Sequence, residues 1–487
     1  MSTKQKFLAK MHLLMHKVGV IMASVNSKRL NNQFISEYKF FIENYLFRLL
    51  GIVNKNLIME MYQTNMKKDT VEAENNKLLF FIGGWCVFSV ETLQEISDDN
   101  LKLTRRIIQS FFQISEYKRT GSGKNNNYFS KTQRNTVFCM AVQKGICSWI
   151  GGDPQSNAIE KLFNKLETWS VKTYEGKKVT LGFIIDPNAN KKSKSKYENW
   201  IDFLDDDSSA VLTDCIHSVI ELDANCNFLN YRSISSRNSI SSGKLSNRIP
   251  LRFTQVIQKY VTGKKFGIFL LNNGDIILAR NQAVCFVKRN LQWLNLSYDA
   301  FAGALEDFVS RSCIEDDKQP FYDLIETIFA SVLDVSFSHA GGIISIVGDS
   351  WPGSKSQNRS SNPVLHPCDD FLNDYDATTY SSEEKGFEAT KRMQKRTILM
   401  NLTGQKRFFD LDRKLRSELI SLDGACILNC RGEVISFGAI IQNDSGSTGG
   451  GRGAAAKKLS RYGMAVKIST DGYIELYVDG KNIYAIK

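Results

Sequence analysis

The residues best suited to chemistry lie toward the C-terminal end of this sequence. Asn443 to Ala456 reads NDSGSTGGGRGAAA: five glycines, two serines and a threonine directly ahead of a helical stretch. Glycine lets a backbone approach an anion closely and take positive φ. A helix start offers unpaired N–H groups and a partial positive charge. Arg452 adds a planar, two-pronged phosphate donor. Ser447, Thr448, Gly449, Gly450, Gly451 and Arg452 are therefore candidate nucleotide-binding residues. The stretch does not follow GxxxxGK[ST] or GxGxxG in the setting those patterns require. A Gly/Ser tract also serves as a plain flexible linker, and this stretch alone leaves both readings open.

Upstream, Asp423-Gly424-Ala425 stands between a helical pattern and a strand. Aspartate is a hard oxygen ligand for Mg²⁺ or Mn²⁺, which makes Asp423 a candidate catalytic and metal residue. Gly424 permits close approach of a base or ribose, and Ala425 adjoins it. Asp-Gly is also an ordinary turn pair.

The two motifs occur in the order LDGACILNCRGEVISFGAII, then GGGRGAAAKKLSRYGMAVKISTDGYIELY. From Asp423 to Val478 this order, spacing and strand pattern resembles the nucleotide-binding domain of the diadenylate cyclase family. That family carries Asp-Gly-Ala before a strand, Gly-Thr-Arg-His-Arg at a helix start, and a Ser-Glu-Glu turn between strands. The resemblance implies that Asp423 binds the catalytic metal, that Gly424 and Ala425 line the adenine or ribose site, and that Arg452 holds the phosphates. Gly451 stands at the family's Thr. The family's His and second Arg are here Gly453 and Ala454. Its Ser-Glu-Glu is Ser469-Thr470-Asp471, which leaves Ser469 as a nucleotide contact and makes the second metal carboxylate either Asp471 or missing. Fewer cations facing a triphosphate mean less stabilisation of the transition state.

The implied activity is condensation of two ATP molecules into a cyclic dinucleotide, with Mg²⁺ or Mn²⁺. The implied assembly is a homo-oligomer, because each nucleotide needs its own site. The alternative is a weakened protein that binds a nucleotide or cyclic dinucleotide without turning it over. His339 to Val347 (HAGGIISIV), LLNNGDIILA and TYEGKKVTLGFIID resemble the DACNV-type sensor region that precedes such domains, which implies a sensing role upstream.

The elements that must position these residues make an α/β protein. A mixed sheet with flanking helices is expected in the C-terminal cyclase-like domain, preceded by an α/β sensor-like region. With 487 residues, two or three domains are expected. The divisions fall at residues 1–226, a linker or long loop at 227–249, an α/β region at 250–384 leading into or joining the cyclase-like unit, and the core at 385–487. Residues 1 to about 75 read as helical, and 78–90 as a buried strand. Helices are expected over 158–169, 321–333, 391–402, 411–420 and 454–461. Strands are expected over 179–186, 266–271, 275–279, 283–287, 343–347, 426–428, 434–437, 464–468 and 473–478. Asn272-Asn273-Gly274 and Asp471-Gly472 mark hairpins.

Bulk composition bounds the rest. Hydrophobic residues at 42% suffice for a core, and a formal net charge of +12 favours phosphate-bearing partners. The basic residues form no stripe with interleaved aromatics, which argues against nucleic acid. Lys191 to Lys196 reads as a solvated loop. The 10 cysteines contain no CxxC, and the five histidines show no zinc spacing. No apolar run reaches the roughly 18 residues of a membrane span, so a cytoplasmic protein without a membrane partner is expected.

Overall fold

The computed structural model describes residues 32–50, 52, 57–64, 69–92, 96–119, 131–153, 155–189, 200–234, 248–290, 292–296, 298–312, 318–348, 350–352, 362–366, 369, 383–404, 406–442 and 450–486. Ser447, Thr448, Gly449 and the Lys191–Lys196 cluster lie outside the described residues. The fold is mixed α/β, with three substantial sheets and helical layers packed between them.

The described residues begin with α1 (Asn32–Phe41), which continues through a π-helical turn (Ile42–Leu46) into α2 (Phe47–Leu50). Four antiparallel strands follow: β1 (Ile58–Gln63), β2 (Thr70–Glu74), β3 (Lys77–Ile82) and β4 (Trp85–Glu91). The N-terminal region is thus not wholly helical as expected. Ile58–Gln63 is rich in Met and Glu, yet pairing with β4 overrides that propensity. The single strand expected over 78–90 is a hairpin, with Gly83 and Gly84 at positive φ in its turn.

Three helices follow, α3 (Asp98–Arg119), which packs on β2, then α4 (Lys131–Gly151) and α5 (Ser156–Val171). After a two-residue ladder, β5 (Thr173–Tyr174) with β6 (Lys177–Lys178), come β7 (Leu181–Asp186), the short α6 (Trp200–Phe203), β8 (Ser218–Asp223) and β9 (Phe228–Ser233). Then follow α7 (Thr254–Tyr260), β10 (Phe266–Leu270), β11 (Ile276–Arg280), β12 (Ala283–Arg289) and β13 (Gln292–Asn295). These strands form one seven-stranded sheet, ordered β13-β12-β11-β10-β7-β8-β9, and the hairpin at Asn272–Gly274 forms as expected.

The linker expected over 227–249 therefore contains a strand, β9, inside a sheet that runs from residue 181 to 295. β9 was hidden by its composition. It is an edge strand with exposed polar residues, so its sequence FLNYRS lacks a fully apolar stripe. Asp223 shapes the turn before it by accepting the N–H groups of Asn225 and Asn227, at 2.9 and 2.8 Å.

The remaining helices are α8 (Tyr298–Ser312), α9 (Lys318–Ser338), α10 (Glu383–Thr403), α11 (Arg413–Ser421) and α12 (Gly450–Leu459). The last strands are β14 (Gly342–Val347), β15 (Ala425–Asn429), β16 (Val434–Ala439), β17 (Gly463–Ile468), β18 (Ile474–Val478) and β19 (Lys481–Ile486). They build a six-stranded mixed sheet, ordered β16-β15-β14-β17-β18-β19, in which only β14 and β15 run parallel.

Strand alternation decides the layers. Phe269, Ile277 and Val287 of the seven-stranded sheet share one core with Phe301, Leu324 and Ile328 of the helices and with Ile344, Val466 and Leu476 of the six-stranded sheet. The opposite face of the seven-stranded sheet packs on α4 and α5. The opposite face of the six-stranded sheet packs on α12 through Ala425, Ile427, Ala455, Ala456 and Leu459. No described helix is long and apolar enough to cross a membrane.

In the middle layer, α9 and α11 are joined by a buried ion pair. Arg413 Nε donates to Asp334 at 2.7 Å, and Leu251 N–H donates to the same carboxylate at 2.7 Å. Burial pushes the Asp334 carboxyl up, against the pull of Arg413. Arg416 is buried one turn along α11. Desolvation first, then Arg413, bring its guanidinium down to about 10. One carboxylate thus serves two buried arginines. Asp334→Ala is expected to cost about 3–5 kcal/mol in denaturant unfolding, the usual penalty for stranding a buried charge.

Asp214 stands ahead of β8. Its burial would raise its pKa, but N–H groups of His217, Ile216 and Ser218 and the His217 ring hold the carboxyl down to about 2. A depressed acid contributes stability that is present above the unfolded value of about 3.9 and is lost as pH falls toward 2. Thermal melts should show this loss in the parent and a shallower fall over the same range in Asp214→Asn.

Candidate functional site

The parallel pair β14 and β15 sets the geometry of the site. Ile344 lies opposite Cys426, so Gly342 is level with Gly424 one strand away. β17 runs the other way and ends with Ile468 opposite Gly342. β16 ends with Ala439 opposite Ala425. Four chain segments therefore meet at one end of the sheet: Gly341–Gly342, Asp423–Gly424, Gly438–Ala439 and the turn Ser469–Tyr473.

The first turn of α12 reaches the same end. A methyl group on Gly341 would lie 2.7 Å from Arg452 Nη1 and 3.2 Å from the Thr470 backbone nitrogen. Gly341 has φ +70, a conformation that favours glycine. The Arg452 guanidinium thus rests over the start of β14, beside the β17–β18 turn. Asp423 is one strand spacing from Gly341, about 5 Å between backbones. Asp423 is exposed and Arg452 half-buried, and among the described residues neither side chain makes a hydrogen bond or ion pair.

The other expected site residues divide into three groups. Gly450 opens α12 with φ +75, and among the described residues nothing lies within 4 Å of where a side chain on Gly451 would begin. Gly424 and Ala425 serve the fold. A side chain on Gly424 would collide with the Gly438 backbone, and its φ is +109. Ala425 is fully buried under α12. The third group belongs to the β17–β18 turn. Ser469 closes it: its hydroxyl accepts Tyr473 N–H at 3.2 Å, and its own N–H donates to Tyr473 O at 2.9 Å. Asp471 is exposed in that turn, with β14 and β17 standing between it and β15, roughly 10 Å from Asp423 by strand spacing. Among the described residues no group of three or more His, Cys, Asp or Glu side chains gathers as a metal cluster.

Two features escaped the sequence reading. Lys467 Nζ contacts Glu475 Oε2 at 2.6 Å, and Tyr477 OH lies 3.3 Å from the same oxygen. Lys467 and Glu475 are directly opposite across β17 and β18. The Asp471-Gly472 turn fixes that register, so the cross-strand pair could have been counted outward from the turn.

The second feature is a clasp between the two large sheets. Arg289 donates two bonds to buried Asp275, at 3.0 and 2.6 Å. Its guanidinium lies against Gly472, where a methyl group would come within 2.7 Å of Nη2. His339 Nδ1 lies 2.9 Å from Thr470 O, which only accepts, so that nitrogen carries the proton. Nε2 then accepts from the Asn273 amide in the β10–β11 turn. Ser336 donates to Gly472 O at 2.6 Å, and Asn290 donates to Tyr473 OH at 2.8 Å. The turn beside Arg452 is thereby held by the upstream sheet.

No protein-family model matches the chain, and a search of curated proteins finds no similar sequence.

Glycine at 424 and glycine at 451 should respond differently to a methyl group. Gly424→Ala is expected to destabilise by about 1–3 kcal/mol through overpacking, with positive-φ strain in addition. Gly451→Ala should leave stability unchanged or raise it by about 0.5–1 kcal/mol, as in any open helix position. Denaturant midpoints of the two variants measure the contrast.

Proposed function

We propose that this end of the six-stranded sheet is a nucleotide site of the diadenylate cyclase type, and that the protein condenses two ATP molecules into a cyclic dinucleotide. The observation that carries the reading is the seat of Arg452. A guanidinium without a protein partner among the described residues stands at the first turn of α12, over Gly341, beside the strand whose start bears Asp423. Helix N–H groups and a guanidinium together suit phosphate oxygens.

In the reaction, the 3′ oxygen of each ATP attacks the α-phosphorus of the other. Two phosphodiester bonds form, and two pyrophosphates leave. Arg452 and the N–H groups of α12 orient the phosphates and offset the charge that builds on them. The missing side chain at Gly341 makes room for the Arg452 guanidinium. A homo-oligomer brings two such sites face to face.

The residues fit a divalent cation in a limited way. Asp423 presents one exposed carboxylate, and Mg²⁺ commonly takes one or two carboxylates together with substrate phosphates and water. Mg²⁺ or Mn²⁺ held by Asp423 would neutralise phosphate charge. Asp471 is offered as an outer contributor rather than a partner on the same ion, given the strands between them.

A second reading has its own observation. Gly453 and Ala454 offer no basic side chain on the helix, which suits a protein that binds a nucleotide or cyclic dinucleotide without turnover. In either case the Asp275–Arg289 and Asn273–His339 contacts give the seven-stranded sheet a physical hold on the site's turn, and we assign the sensing role to that sheet.

Purified protein incubated with ATP and Mn²⁺ or Mg²⁺ should yield cyclic dinucleotide by chromatography, and Asp423→Asn should lower the yield at least a hundredfold, or roughly 2.7 kcal/mol of barrier. Tight binding without product selects the second reading. Absence of any nucleotide binding rejects both.

A further inference from the structure

We infer that Lys467 is the second phosphate-binding cation of this site, supplied from the sheet in place of the basic side chains that α12 lacks at Gly453 and Ala454. The inference rests on the nucleotide reading above.

Lys467 points to the α12 side of the sheet. Its neighbour two residues back, Ala465, packs in the same cluster as Ala455 and Ala456 of that helix. The ammonium lies beneath the first turn of α12: Nζ is 3.9 Å from the point where a side chain on Gly453 would begin. Among the described residues, apart from the backbone of α12 itself and Gly453's chain neighbours, nothing else stands within 4 Å of that point. Packing therefore does not demand glycine at 453, and glycine inside a helix costs about 1 kcal/mol relative to alanine. What its absence of side chain leaves is open space directly above an ammonium, at the helix end where Arg452 also points.

Glu475 positions that ammonium rather than cancelling it. Its carboxylate is 7% exposed, takes Lys467 at 2.6 Å and lies 3.3 Å from the Tyr477 hydroxyl. An ammonium has three N–H donors, so a bond to Glu475 leaves two for phosphate oxygens. The Lys467 side chain is 20% exposed, so it is accessible yet partly desolvated, and charge-assisted bonds are strong in that setting. A plain cross-strand ion pair would explain Lys467 and Glu475. It would not explain the empty position at Gly453 above them.

The test is calorimetric titration of the full chain with ATP and Mg²⁺, with adenosine as the phosphate-free control. Lys467→Met should weaken ATP binding about tenfold and leave adenosine unchanged, and Lys467→Arg should restore most of the ATP affinity. Because Lys467→Met strands Glu475 in a buried position, the double variant Lys467→Met/Glu475→Gln is made in parallel, with its fold checked by circular dichroism; it should keep the ATP defect. A folded variant that binds ATP as tightly as the parent overturns the assignment of Lys467 while leaving the nucleotide reading intact. A parent protein that binds neither ATP nor a cyclic dinucleotide overturns that reading and this inference together.

Discussion

At the site end of the six-stranded sheet, backbone twice comes too close for any side chain: Gly342 lies against the Ile420 carbonyl at the end of α11, and Gly424 against the Gly438 backbone. These approaches draw the starts of β14 and β15 and the end of β16 into one plane and let α11 press on β14. The placement of Asp423 beside Gly341 depends on them. If the strand starts were splayed to admit side chains, Asp423 would move away from Gly341, and Arg452 would lose the shelf on which it rests.

The site and the rest of the molecule meet at one turn. Ser469–Tyr473 closes β17 onto β18 through its own hydrogen bonds, presents Thr470 to Arg452 and Gly341, and takes contacts from His339, Ser336, Arg289 and Asn290. Arg289 is held in place by buried Asp275, so the hold is stiff rather than a brush of surface side chains. A change in the seven-stranded sheet that moved the β10–β11 turn would reach Thr470 through one histidine. Such a route offers coupling without a hinge, since both sheets share one continuous core with the helices between them.

Much of the C-terminal architecture was legible in the sequence. The strands over 425–429, 434–439, 463–468 and 474–478 and the helix at 413–421 follow apolar periodicity closely, and the Asn-Gly and Asp-Gly turns sit where hairpins form. Periodicity failed where pairing overrode propensity. Ile58–Gln63 reads like helix because Met and Glu favour it, and only β4 makes it a strand. Phe228–Ser233 reads like a loop because an edge strand needs only one apolar face. In the site itself, the charged residues of the motif were visible as types, but the reason for Gly424 was not. A glycine that admits a ligand and one that admits a neighbouring strand look identical in a sequence, and here the strand fills the space. Lys467 was missed because a lysine in a strand is ordinarily read as solvent-facing, and its helix-covered face appears only once register and the crossing of α12 are known.

The account stands on Asp423 and the tip of α12 serving a single ligand. Hydrogen–deuterium exchange of the full chain, with and without ATP and Mn²⁺, tests this most directly. The account expects amides around 422–425, 340–342 and 450–453 to gain protection together, with the same dependence on ATP concentration. Protection at the helix tip with unchanged exchange around 422–425, or the reverse, would contradict it.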